Sequence, residues 1–313
     1  MMKDNHPLVS VPVITYNSSA TVLDTLTSIY QQTYKNLELI ISDDGSKDNT
    51  VGICREWIEK HKDRFKRIEI ITVPKNTGVT ANYQRAFEKC KGEWIKEIDG
   101  DDMLLPDCIE EYVNYVTIHP ETIYLFGKVE VFGANKEVVK GFEDVIFDYS
   151  FFYMSHDEQY RWLTIHSRQP IPSVSSFYNK EKVQELGIIY DERIPMLEDW
   201  PRWLQLMEKG VHLHFVDKVI ARYRVSGEAS ICSGTIYSEA FQKSLALMYF
   251  YYQYKPAQKY MGKIKAWMQY VACKKTLSDK VIWKVLYAIN HIIMIPIKAL
   301  VRIKKRVKCQ MKK

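Results

Sequence analysis

The sequence has no CxxC pair; its six cysteines, at positions 54, 90, 108, 232, 273 and 309, are scattered singly through 313 residues. That spacing excludes a zinc knuckle or a disulfide framework and suits a reducing, cytoplasmic setting. The first eleven residues lack a basic stretch followed by a long apolar one, so no secretory signal is expected there. An uninterrupted apolar run of about 20 residues, the length a spanning helix needs, is also missing. The most apolar stretch, 281–300, is interrupted by Lys284, Asn290, His291, Pro296 and Lys298. It is expected to form an amphipathic helix in the plane of a membrane surface; the alternative is a helix packed on the rest of the chain or on a second copy in a homo-oligomer.

A distributed basic face is absent too. The formal charge is +6, but Lys298, Arg302, Lys304, Lys305, Arg306, Lys308, Lys312 and Lys313 supply eight positive charges in one terminal run without an acid. Setting those eight aside turns +6 into −2. Nucleic-acid binding calls for basic and stacking residues spread over a folded surface, so nucleic acid is not an expected partner. The tail is suited instead to anionic lipid headgroups, each Lys or Arg near the surface contributing on the order of 1 kcal/mol.

With 46% hydrophobic and 26% charged residues, the chain can bury one α/β core of ordinary size and carry an appendage. Strands are expected at 8–14, 37–42, 68–73 and 94–98, alternating with amphipathic helices at 20–32, 48–61 and 77–89. This is the pattern of a mostly parallel sheet covered by helices. Asn17, Ser18 or Ser19 is expected to cap the first helix and Asp48 or Asn49 the second. Beyond Asp102 come a helix at 106–119, a strand at 123–132, an aromatic-rich stretch at 142–162, a helix at 197–210 and strands at 211–216 and 219–223 that close the sheet edge. From Ile236 onward the chain reads as helical.

Three acidic clusters stand at strand ends or at a helix start, where a parallel sheet places its ligands. Asp43-Asp44-Gly45 suits a pocket for a nucleotide base or ribose, and equally a plain Asp-Gly turn. Asp99-Gly100-Asp101-Asp102 suits a hard divalent cation, Mn²⁺ or Mg²⁺, on a diphosphate; a solvated turn capping the helix near Pro106 is the alternative. Glu198-Asp199-Trp200 heads a helix, where a carboxylate serves as a general base or complements the helix dipole. His212 and His214 share one face of a strand and read as structural.

In order, these clusters resemble the family 2 inverting glycosyltransferases of GT-A fold, including bacterial surface-polysaccharide enzymes. The resemblance runs from about Leu8 to Tyr223. It includes Val9-Ser10-Val11-Pro12-Val13-Ile14-Thr15-Tyr16-Asn17, Ser28-Ile29-Tyr30-Gln31-Gln32-Thr33-Tyr34, the Asp-Asp-Gly-Ser turn, Asn76-Thr77-Gly78, Asn82 and Gly92-Glu93-Trp94-Ile95. It implies a GT-A catalytic domain over 1–235, with 1–102 binding the nucleotide sugar and 103–235 the acceptor, followed by a helical extension over 236–313. It also implies a donor-binding set of Pro12, Thr15, Tyr16, Asn17, Asp43, Asp44, Asn76, Gly78, Asn82, Asp99 and Gly100, a metal ligand at Asp101, and a catalytic base at Asp199. Ser226 stands where many members carry a His, which implies either weaker metal affinity or a diphosphate held by Arg222, Arg224 or Ser230 instead.

The activity this implies is transfer of a hexose or N-acetylhexosamine from a UDP-sugar, with inversion, to a sugar hydroxyl. The acceptor expected from the basic tail is a polyprenyl-diphosphate-linked oligosaccharide at the inner face of the plasma membrane. Nucleotidyl transfer is a rival reading, weakened because residues 10–20 contain no glycine or basic residue. A non-catalytic nucleotide-binding scaffold at the membrane is another.

Overall fold

Seven successive residues of β1 (Val9–Thr15) are buried, as are all seven of β2 (Leu37–Asp43), which is how strands covered on both faces read. A computed structural model describes residues 6–133, 147–166, 171–225, 239–277, 280 and 282–287. β1 and β2 pair in parallel, and β2 pairs in parallel with β3 (Arg67–Thr72). Helices α1 (Val22–Tyr30), α2 (Thr50–His61) and α3 (Val79–Lys89) connect these strands and the one that follows. On the other side of β1 lie β4 (Trp94–Ile95) and β5 (Ile98–Asp99). The chain therefore reverses direction across the sheet at β1, a switch point where open parallel sheets bind ligands beyond their strand ends.

The expected single strand 94–98 is two pieces, and Pro12 supplies the reason. Ser10 O accepts from Lys96 N at 2.9 Å and Ile14 O from Gly100 N at 2.9 Å, so even-numbered residues of β1 direct their backbone groups toward this neighbour. Pro12 faces the same way without an N–H, and the ladder opens at Lys96 and Glu97.

The rest of the sheet is mixed. β6 (Met103–Leu104) leads to α4 (Cys108–Ile118) and β7 (Tyr124–Phe132). Then come α5 (His156–Ile165), β8 (Phe177–Asn179), α6 (Lys180–Glu185), α7 (Trp200–Glu208) and β9 (Leu213–Arg224). Strand order is β3-β2-β1-β4-β8-β7-β9-β6, with β5 beside β1. The two strands expected at 211–216 and 219–223 are one, and the break between them is a bulge opposite Gly127 and Lys128. Two-residue β6, not β9, is the edge, and three-residue β8 was not foreseen.

Cap assignments also change. Thr21 occupies the α1 N-cap without a side-chain cap bond. Asn17 instead takes φ 53° and clasps the next loop: its N–H donates to Ser46 Oγ at 2.8 Å and its Oδ1 accepts from Lys47 N at 2.8 Å. Asp48 Oδ1 accepts from Thr50 N at 3.1 Å at the head of α2.

Contacts gather the chain into two units, Met1–Phe241 and Gln242–Lys313. Within 239–277, helices α8 (Glu239–Met248), α9 (Tyr254–Met261) and α10 (Lys263–Leu277) are present, as expected. Ser226, Ser230 and the basic tail from Lys298 onward lie outside the described residues, as does most of 281–300.

Candidate active site

Parallel register sets Thr15 beside Asp43, and Ile14 beside Asp99, at the same edge of the sheet. The Thr15 hydroxyl donates to Asp43 Oδ2 at 3.1 Å, while Asp43 Oδ1 accepts from Gly45 N at 3.1 Å and Ser46 N at 2.9 Å. Asp44 Oδ2 accepts from Thr77 N and Gly78 N, each at 2.9 Å, and Arg85 pairs with its Oδ1 at 3.2 Å. Asn76 Oδ1 accepts from Gly78 N at 3.0 Å. Both aspartates thus tie together the chain segments that end β1 and follow β2 and β3. Gly45, at φ 76°, is required there: a Cβ would meet Lys75 C at 2.8 Å.

Of the expected donor-binding residues, Tyr16 is 45% exposed just beyond the end of β1. Pro12 lies buried within β1, and Asn82 is buried, its Nδ2 donating to Thr15 O at 3.2 Å and Ser42 O at 3.1 Å. Their observed contacts shape the strand ends from behind.

Gly100 lets the second acidic cluster approach β1: a Cβ would lie 2.8 Å from the Thr15 methyl. Asp99 Oδ1 accepts the Tyr83 hydroxyl at 2.7 Å. Burial, then the Asp101 charge, push the Asp99 carboxyl up to about 7. Asp102 is buried and accepts from Arg224 N at 2.8 Å; burial, Asp101 and Asp99 push it well above the usual carboxylate range. It does not cap α4, whose N-cap is Asp107. Asp101 is exposed, yet the surrounding protein raises its carboxyl by desolvation, against the lowering effects of its own backbone N–H and of Arg224.

These acids repel one another in the absence of a cation, and their donors are all oxygen. Among the described residues no three His, Cys, Asp or Glu side chains converge on one point. One or two carboxylates that need phosphate oxygens to complete a shell fit Mg²⁺ or Mn²⁺ on a nucleotide, which such cations accept.

The third cluster lies within electrostatic reach of Asp99. Asp199 is the N-cap of α7, its Oδ1 accepting from Trp200 N at 2.5 Å, with Pro201 following. Burial first, then Asp199 and Asp99, push the Glu198 carboxyl well up. Asp199 likewise acts on Asp99, so the last two clusters share one electrostatic field. A small cavity of about 10 Å³, room for a single water and partly open to solvent, is bounded by Tyr83, Glu97, Tyr190, Glu198, Asp199 and Arg202.

Glu97, Tyr190 and Arg202 were not anticipated from the sequence. Glu97 accepts hydrogen bonds from Tyr178 and Tyr190, and Arg202 Nη1 lies 3.4 Å from Glu97 Oε1. The available signal was a charged pair, Lys96-Glu97, inside an apolar strand. Lys96 is fully buried, donating to Glu97 O at 2.7 Å and Val174 O at 2.6 Å. His212 and His214 are remote, at the opposite edge of the sheet where β9 begins; His214 Nδ1 lies 3.3 Å from the Tyr115 hydroxyl.

Residues 10–184, more than half the chain, match the profile described as glycosyl transferase family 2. The chain belongs to this family. Over 219 residues it is 22% identical to a Bacillus subtilis protein named putative teichuronic acid biosynthesis glycosyltransferase TuaG, covering 70% of this chain and 79% of that one. The fold is shared with S. aureus TarS 1–349 in complex with UDP-GlcNAc (TM-score 0.61, 16% identity, 90% of this chain and 79% of that chain). It is also shared with the mannosyltransferase PcManGT of Pyrobaculum calidifontis in complex with GDP-Man and Mn²⁺ (TM-score 0.56, 15% identity, 92% and 81%). The mixed, mostly parallel sheet is accordingly the GT-A fold of a family 2 glycosyltransferase.

Proposed function

We propose that this glycosyltransferase moves a hexose or N-acetylhexosamine from a UDP-sugar, with inversion, to a sugar hydroxyl of a polyprenyl-diphosphate-linked acceptor in surface-polysaccharide synthesis. The observation that carries the reading is the placement of Asp43/Asp44 and Asp99/Asp101 at strand ends flanking β1 at the sheet's switch point, with Glu198 and Asp199 within electrostatic reach of Asp99. UDP-GlcNAc on TarS and the teichuronic acid naming of TuaG support the donor class and the polysaccharide role.

In this mechanism Tyr16, Thr15 and the loops braced by Asp43 and Asp44 hold the base and ribose. The Asp199 carboxylate accepts the proton of an acceptor hydroxyl. That oxygen bonds to the anomeric carbon from the face opposite the diphosphate, the bond from carbon to phosphate oxygen breaks, and UDP leaves with the electron pair. Asp101, with Asp99 beside it, would hold Mn²⁺ or Mg²⁺, which when bound supplies positive charge to the diphosphate. Arg224, whose Nε donates to Asp101 O at 2.6 Å, stands beside the site and takes the part of the family His that Ser226 replaces.

Acceptor delivery from a membrane surface is supported by composition. From Tyr254 to the end, sixteen Lys and Arg face a single acid, Asp279. Ile264 and Trp267 on α10 are 72% and 44% exposed. No helix among the described residues is long and apolar enough to cross a membrane; the basic composition favours peripheral attachment. The reading is tested by incubating UDP-glucose, UDP-galactose and their N-acetyl forms with Mn²⁺ and a lipid-linked acceptor. UDP release and a β-linked product that Asp199→Asn abolishes are the expected result.

A further inference from the structure

We infer that Glu97 and Arg202 are a positioning pair that fixes the base Asp199 relative to the donor-side carboxylate Asp99; the inference rests on the glycosyl-transfer reading above. Glu97 sits in the gap between β4 and β5, two residues before Asp99. Arg202 lies in the first turn of α7, three residues after Asp199. A contact between the two side chains therefore ties the strand end of one acidic cluster to the helix start of the other.

The tie is buried and directional. Arg202 is 2% exposed and Glu97 6%. Arg202 Nη1 donates to the Tyr190 hydroxyl, and Tyr190 and Tyr178 both donate to Glu97 Oε1. The guanidinium lies over the Tyr190 ring at 3.9 Å and the Tyr178 ring at 4.6 Å. Tyr190 in turn stacks on Tyr83 at 5.6 Å, and Tyr83 holds Asp99. The connection from Asp99 to α7 thus runs Tyr83, Tyr190, Glu97, Arg202, each joined to the next by a ring contact or a polar bond.

Stability does not account for this arrangement. A buried ion pair gives up hydration that an apolar pair of similar volume never has, and exchange for apolar residues is often neutral or stabilising. Arg202 Nε, moreover, is buried with no hydrogen-bond partner among the described residues. What the pair supplies is a fixed geometry, since a planar guanidinium against a carboxylate and two phenols permits few orientations. Misplacing a base by about 1 Å can cost on the order of 100-fold in rate while leaving nucleotide contacts unchanged.

The test uses the whole protein with Mn²⁺ and the UDP-sugar panel, reading kcat and KM for UDP release and, separately, UDP binding by calorimetry. The double variant Glu97→Gln/Arg202→Met is expected to bind UDP within about twofold of the native protein but to turn over about 10–100-fold more slowly. Tyr190→Phe, which removes one hydroxyl, should lose kcat in the same direction and by less. Arg202→Lys should recover part of what Arg202→Met loses. A double variant with native kcat, or one in which UDP affinity and kcat fall together, would overturn the pairing role. Should the double variant not fold, Tyr190→Phe decides, and native kcat there overturns the inference. Native UDP release that Asp199→Asn leaves unchanged would instead refute the underlying transfer reading, and the positioning role with it.

Discussion

Tyr83 holds Asp99 through one hydrogen bond, hydroxyl to Oδ1 at 2.7 Å, and the phenol is itself buried with its own pKa pushed well up. The donor-side carboxylate is therefore oriented by a group that cannot follow it into water. Tyr83→Phe should leave Asp99 less firmly ionised and oriented, weakening Mn²⁺-dependent UDP binding by about 10-fold, the scale of one hydrogen bond to a charged group. Calorimetry on the variant checks this; unchanged affinity would mean the tyrosine only packs.

Asp199→Asn separates helix capping from catalysis. An asparagine oxygen still accepts the Trp200 N–H that Asp199 Oδ1 accepts at 2.5 Å, so α7 should stay intact. Turnover should nevertheless fall by about 100- to 10,000-fold, the range for loss of a general base, with UDP affinity close to native. Steady-state kinetics beside a thermal melt distinguishes the two roles.

The carboxylates predict an unusual pH dependence of the protein free of metal and nucleotide. Asp99 rises from 3.8 to about 7 on folding, and Asp101, Asp102 and Glu198 shift the same way, with burial the first cause of each. A raised folded pKa means the native state binds the proton more tightly than the unfolded one. Stability is then lost as pH climbs from about 4 through about 7. Asp99→Asn, which cannot ionise, should melt higher than the native protein at pH 8, and the gap should shrink as pH falls. Melting curves across pH 5 to 8 provide the check.

Gly100 tests the close approach of the acidic turn to β1. Gly100→Ala puts a methyl 2.8 Å from the Thr15 side chain and 3.2 Å from Ile14 O. The cost should be roughly 1–3 kcal/mol of stability, with weakened UDP binding because strand ends must separate. Urea unfolding and calorimetry measure both.

Much of the fold and site was legible where pattern is local. Apolar runs at β1 and β2, followed by helices with one apolar face, carry their own periods, and the acids that follow them land at the expected edge. Two-residue β6 and three-residue β8 are too short to show any period and exist only because longer neighbours pair with them. The gap at Lys96 and Glu97 depends on Pro12, more than eighty residues away across the ladder. Glu97 and Arg202 are enclosed by tyrosines that lie far from them in the sequence, a pairing no local pattern carries. Asp43, Asp44 and Asn82 stood out in the sequence as candidates, but not the degree to which internal hydrogen bonds engage them.

The account stands most directly on whether nucleotide binding needs the acidic turn. Calorimetric titration of UDP into the native protein and into Asp101→Asn, each with and without Mn²⁺, is the deciding measurement. Binding by the native protein that strengthens with Mn²⁺, and loss of that enhancement in Asp101→Asn, is the predicted result. UDP binding unaffected by Mn²⁺ and by the substitution, or no UDP binding at all, would contradict it.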